Sequence, residues 1–270
     1  MSRIALVGNL CVDRVAGGAP RAGGGVYYAA RAAAHVGADA VIVTRCAPAD
    51  REIVLAPLEA FGLPVTCADA RETTAFRFHY EDDHRVMNVD AVGDPWTTSD
   101  VDGWAAGALE GVDWLHVAGL LRSHFPTDVV ATLARNGRRL LLDAQGALRR
   151  AHTGPLERDD DVDRAAFAHL AVLKVNEDEG RILAGGLEPE QLRALGVEET
   201  LLTLGSRGTL VIAGDTVAHV PAHPARGEVD PTGAGDSFSL VYLDGRARGI
   251  EPVAAAERAS VAVAELIGSG

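Results

Sequence analysis

The run Glu228–Leu243, EVDPTGAGDSFSLVYL, sets Gly233-Ala234-Gly235 between a threonine and an aspartate, then continues into an apolar, helix-like segment. Small residues ahead of a helix let several backbone N–H groups converge on one point, where the helix dipole adds partial positive charge. Phosphoryl transfer spreads negative charge over equatorial oxygens, so such a nest of amides stabilises its transition state without a lysine. Asp236, at the same mouth, is placed to accept the proton of an attacking hydroxyl. The bland alternative is a glycine turn with Asp236 as a helix cap, and the length of the string DPTGAGDSF argues against it.

Other phosphate machinery is missing. Lys174 is the only lysine, and neither a Walker A loop nor the protein-kinase lysine pattern surrounds it, so the chemistry is expected to use other donors. GNLCVD, after the first apolar run, lacks the G-x-G-x-x-G arrangement of a dinucleotide site. A formal net charge of −13 argues against nucleic acid and anionic membrane as partners. No apolar run approaches a membrane span and the N-terminus lacks a signal-peptide core. Cys11, Cys46 and Cys67 are odd in number and far apart, so no disulfide framework is expected and a reducing cytoplasm is the default location.

These residues need a scaffold, and the chain supplies one. With 270 residues it can bury a sizeable core. Arg3–Gly8 and Ala40–Thr44 are short apolar runs of the buried-strand type, and helix-like segments follow each. Strand and helix patterns then alternate to the C-terminus, closing with helices near 233–248 and 252–267, which predicts an α/β fold with a mostly parallel sheet covered on both faces. Ligands of such sheets sit beyond the carboxyl ends of the strands. Asp13, Asn176, Gly205 and the Thr232–Asp236 loop all fall after predicted strands. Between Thr73 and Val89 the rhythm breaks: TTAFRFHY and RVMNV flank the polar EDDH, which predicts a hairpin set off from the body.

Asp230-x-Thr232-Gly233-Ala234-Gly235-Asp236, with Phe238 after it, closely resembles the C-terminal signature of the ribokinase-like (PfkB) sugar kinases. In chain order, GNLCVDRV, GGGVYYAARAAAHVGA, LKVNEDEGRIL and LLTLGSRGTLV resemble further segments of that family. The resemblance implies one ribokinase-like domain over residues 1–270, with the hairpin near 73–90 as a small lid. It implies Asp236 as catalytic base and the amides of Gly233, Ala234 and Gly235 as anion hole. Asn176 and Glu179 would organise Mg²⁺ through water, while Thr203, Gly205, Ser206, Gly208 and Thr232 would line ATP. Asp13 and the Gly24–Gly25 backbone would hold the acceptor beside Asp236. Asp230 matches a monovalent-cation position, K⁺ in some members. The D-x-Q-G run at Asp143–Gly146 and the Tyr27–Tyr28 pair are similar to the inositol-kinase-like branch. The implied activity is ATP-dependent phosphorylation of a small sugar or cyclic polyol, in a monomer or a homodimer whose partner helps close the site. A nucleoside kinase of the same fold is the nearer rival, and a non-catalytic ligand-binding regulator the more distant one.

Overall fold

The structure, a computed structural model, describes residues 3–81, 84–227 and 229–268. Asp82 and Asp83 of the expected hairpin turn, and Glu228 ahead of the glycine loop, lie outside the described residues. The chain runs through β1 (Arg3–Asn9), β2 (Cys11–Val15), β3 (Arg21–Gly23), α1 (Gly25–Val36), β4 (Ala40–Cys46), α2 (Arg51–Glu59), β5 (Val65–Asp69), β6 (Thr74–Glu81) and β7 (His84–Ala91). It continues with α3 (Thr98–Asp102), β8 (Val112–Ala118), α4 (Thr127–Leu133), β9 (Arg139–Asp143), α5 (Ala144–Leu148), β10 (Gly154–Pro155), β11 (Val172–Asn176), α6 (Glu177–Ala184) and α7 (Pro189–Arg193). β12 (Glu199–Thr203), β13 (Thr209–Ala213), β14 (Thr216–Val220), α8 (Ala234–Ala247) and α9 (Pro252–Ile267) complete it.

Nine strands form the large sheet in the order β14-β13-β12-β11-β9-β8-β1-β4-β5. Neighbours from β12 to β5 run parallel, and β13 and β14 turn antiparallel at one edge. The expected mostly parallel sheet is present. Strand β1 shows why its sequence is continuously apolar: Ile4 and Leu6 pack with α1, α8 and α9, while Ala5 and Val7 pack with the helices of the other face. A parallel strand covered on both sides has no polar face to offer.

The projecting element is larger than the expected hairpin. β6 and β7 do pair antiparallel, but β2, β3 and β10 join them in a five-stranded sheet ordered β10-β7-β6-β2-β3. Leu10 alone separates β1 of the large sheet from β2 of the small one, so the chain changes sheets within one residue. The Gly-rich stretch 17–25 also conceals β3. This assembly escaped the sequence because β2 pairs with β6, placing Cys11 opposite Thr74, and local periodicity carries no information about so distant a partner. Cys46 and Cys67 also meet, their Sγ atoms 3.8 Å apart, because β4 and β5 are neighbours; all three cysteines are free thiols.

Candidate active site

Helix α8 begins at Ala234, with Gly233 as its N-cap in the left-handed region (φ 76°). The cap is pressed onto Tyr28 of α1: a Cβ on Gly233 would lie 2.1 Å from Tyr28 Cγ. Only glycine satisfies both the backbone angle and the space. The Ala234 amide closes a turn onto the Pro231 carbonyl at 3.1 Å, and the first turn of α8 opens beyond it. Asp230 Oδ1 accepts from the Thr232 amide at 2.9 Å, which folds the start of the loop on itself.

Asp236 sits in that first turn, against Gly25 of α1: a Cβ on Gly25 would fall 2.9 Å from Asp236 Oδ1. Burial, and next the nearby Asp143 carboxylate, push its carboxyl up to about 7, against the opposing pull of Lys174 and Arg149. A carboxylate that titrates near neutrality suits a general base. Lys174, set aside from the chemistry on sequence grounds, belongs to this site: its Nζ would be 2.8 Å from a Cβ on Gly235, and it donates to Asp143 Oδ2 at 2.7 Å. Burial alone would lower the Lys174 pKa, but attraction to Asp143, Glu179 and Asp236 holds it above the ordinary lysine range. The signal was in the sequence, since Lys174 stands two residues before Asn176 on the same strand end.

Asn176 and Glu179 form a reciprocal cap on α6. Glu179 N donates to Asn176 Oδ1 at 2.9 Å, Asn176 N to Glu179 Oε2 at 2.8 Å, and Asn176 Nδ2 to Glu179 Oε1 at 2.9 Å. Glu179 is buried, which raises its pKa, and Lys174 opposes the rise. Thr203, at the end of β12, pairs with Asn176 in register, and its hydroxyl donates to Val175 O. The turn 204–208 then reverses the chain into β13, closed by Leu204 N on Gly208 O at 2.8 Å.

A cavity of about 980 Å³ gathers most of these residues: Asn176, Thr203, Gly205, Ser206, Gly208, Thr232 and the whole of Gly233–Asp236 line it. Asp143, Gln145 and Lys174 also line it, and Ala222, Pro224, Val229, Val263, Ala264 and Ile267 make it apolar at one end. Asp13, Gly24 and Gly25 do not line it; Gly25 abuts Asp236, and Asp13 stands on β2 of the small sheet. Asp13 is buried on β2, with Oδ2 so close to Gly23 that a Cβ there would be 2.2 Å away, and it accepts from Cys11 Sγ at 3.4 Å.

Arg149 follows the D-x-Q-G run of Asp143–Gly146. Its side chain is buried, Nη2 donates to Gln145 Oε1 at 2.8 Å, and the guanidinium lies 5.5 Å from the Phe76 ring of the small sheet. Among the described residues its Nε has no hydrogen-bond partner. Burial pushes its pKa down to about 10, and the neighbouring Arg158 charge adds to this. Arg77, by contrast, lies exposed and pairs with Asp90 on the same small sheet. Among the described residues no cluster of three His, Cys, Asp or Glu side chains could hold a metal directly, and none of the helices is long and apolar enough to cross a membrane.

Known proteins share this fold. A pyrophosphate-dependent kinase of the ribokinase family, solved with a pyrophosphate analogue and myo-inositol, superposes with a TM-score of 0.83 at 24% identity, covering 97% of this chain and 93% of that one. Ribokinase from Arabidopsis thaliana with ribose and ATP gives 0.76 at 19% identity, covering 100% and 94%. A Burkholderia thailandensis nucleoside kinase with inosine gives 0.75 at 20% identity, covering 99% and 92%. Residues 9–269 match the family described as pfkB family carbohydrate kinase. A glycine-capped helix mouth, a buried carboxylate pushed up to about 7 and a match that spans almost every residue lead to one statement: the chain belongs to the pfkB family of carbohydrate kinases, phosphotransferases that act on sugar-type hydroxyls.

Proposed function

We propose that this kinase transfers the γ-phosphoryl group of ATP to a hydroxyl of a neutral cyclic polyol or small sugar, and that Asp236 takes the hydroxyl proton. The observation that carries the reading is the position of the Asp236 carboxyl between the cavity and Gly25, with the Lys174 ammonium under the same turn. The first-turn amides of α8 and Lys174 would face the migrating phosphoryl group from one side while Asp236 frees the acceptor oxygen on the other. Asp13 and the Gly24–Gly25 backbone would hold neighbouring hydroxyls, and the five-stranded sheet would act as a lid that excludes water.

The acceptor class rests on Arg149 and Gln145. A buried guanidinium beside Phe76, steadied by a side-chain amide, would hydrogen-bond ring hydroxyls of the acceptor. Its charge already faces Asp236, Asp143 and Glu179, so it is not free to offset an anionic acceptor. Mg²⁺ fits as a water-clad ion brought in with the donor phosphates. Both oxygens of Glu179 are engaged by Asn176, so that carboxylate would hold the ion through water and not as a direct ligand. Bound there, the ion would neutralise charge on the phosphates.

Pyrophosphate is the second donor to consider, because pyrophosphate-dependent kinases stand among the similar folds. The apolar end of the cavity favours a nucleotide, since a base would fill it and pyrophosphate would not. The test measures phosphoryl transfer from ATP and from pyrophosphate to inositols, ribose, fructose and inosine. ATP with an inositol or sugar is the expected productive pair. Transfer to nucleosides alone would replace the acceptor assignment, and no transfer from either donor to any acceptor would sink the reading.

A further inference from the structure

Behind the anion loop, the end of α9 is held by a guanidinium from α1 and by the first residue of the signature. Arg31, on α1, donates through Nη2 to Leu266 O in the last turn of α9 at 2.7 Å. The Asp230 amide donates to Ile267 O at 3.2 Å. Asp230 itself accepts from Thr232, and the Arg21 and Arg31 charges add to the hold that keeps its carboxyl below the usual aspartate range.

A monovalent cation at Asp230 would need a ring of unengaged carbonyl and carboxylate oxygens. Among the described residues the oxygens there are already partly committed: Leu266 O and Ile267 O at the end of α9 each accept from an N–H donor, and Asp230 Oδ1 accepts from the Thr232 amide. A new cation would also stand beside a positive guanidinium. The charge problem such an ion would solve is nevertheless real. The C-terminal carbonyls of α9 and the Asp230 carboxylate place negative charge just behind a loop that must receive phosphate.

We infer that Arg31 is the resident cation of the anion loop, a positioning residue that takes the place of K⁺ and makes phosphoryl transfer independent of monovalent cations. The inference rests on the kinase reading above, but one arm of its test does not. Melting temperature and turnover would be measured in K⁺, Na⁺ and tetramethylammonium at constant ionic strength, for the wild type, Arg31→Met and Arg31→Lys.

The wild type should melt and turn over alike in all three salts. Arg31→Met should lose at least about tenfold in kcat in tetramethylammonium and regain part of it in K⁺. Arg31→Lys, which keeps the charge, should stay near the wild type in every salt. A wild-type melting temperature or rate raised by K⁺ over tetramethylammonium would overturn the inference, as would a folded Arg31→Met with wild-type kcat throughout. If Arg31→Met does not fold, the salt series on the wild type and on Arg31→Lys decides. Absence of any transferase activity would count against the kinase reading instead, and the melting series would still judge the cation.

Discussion

The Lys174 ammonium stands 2.7 Å from Asp143 Oδ2, with both side chains almost sealed from solvent (7% and 3% exposed). Two opposite charges held this way beneath the glycine loop act on Asp236 in opposite directions, Asp143 raising its pKa and Lys174 lowering it. Burial supplies the largest part of the rise and the pair adjusts it, so splitting the pair should be felt twice, in stability and in titration.

The acid limb of kcat/KM should fall near pH 7, since the free enzyme's base must be unprotonated. Asp143→Asn removes the repulsion and should move that limb to lower pH. Lys174→Met removes the attraction and should move it higher. Each variant leaves one buried charge unpaired and should cost about 3–5 kcal/mol in chemical denaturation. Limbs that move together, or do not move, would contradict this arrangement.

Asp236→Asn should lower kcat by a factor of about 10²–10⁴ while the fold persists. Its effect on stability has a definite sign. The folded pKa lies above the ordinary value of 3.8, so the wild-type carboxyl contributes its full stability below that value and loses it as pH rises through about 7. The neutral amide avoids the loss. The variant's melting temperature relative to wild type should therefore be higher at pH 8 than at pH 5.

Two glycines with left-handed backbones separate strain from function. Gly233 (φ 76°) abuts Tyr28, whereas Gly37 (φ 63°) at the end of α1 has open space around its missing Cβ. Gly37→Ala should cost about 1–2 kcal/mol and leave turnover unchanged. Gly233→Ala should cost more, because the Tyr28 ring must move, and should abolish measurable transfer. Urea unfolding and a rate assay on both proteins check the contrast.

Tyr242→Phe tests a buried network far from the chemistry. Its hydroxyl donates to Glu199 Oε2 at 2.6 Å, and Arg246 grips the same carboxylate at 2.6 Å through Nη2. Removing the hydroxyl should cost about 1–3 kcal/mol by denaturation, with kcat unchanged.

Taken alone, the sequence determined the alternating scaffold, the closing helices and the run from Asp230 to Asp236. Each of these is written in neighbouring residues: apolar periodicity makes a strand or helix, and the run of small residues before an apolar segment marks a glycine loop that opens a helix. Asn176 and Glu179 were paired in the sequence by resemblance, as organisers of Mg²⁺; that they cap α6 reciprocally came from the structure. Only the tertiary structure decided that β2, β3 and β10 enlarge the small sheet, that Lys174 lies under Gly235, that Arg149 reaches Phe76, and that Arg31 meets Leu266 across 235 residues. Those contacts join segments whose separation in sequence says nothing of their distance in space. They exist because a sheet covered on both faces brings its strand ends and helix ends to one rim.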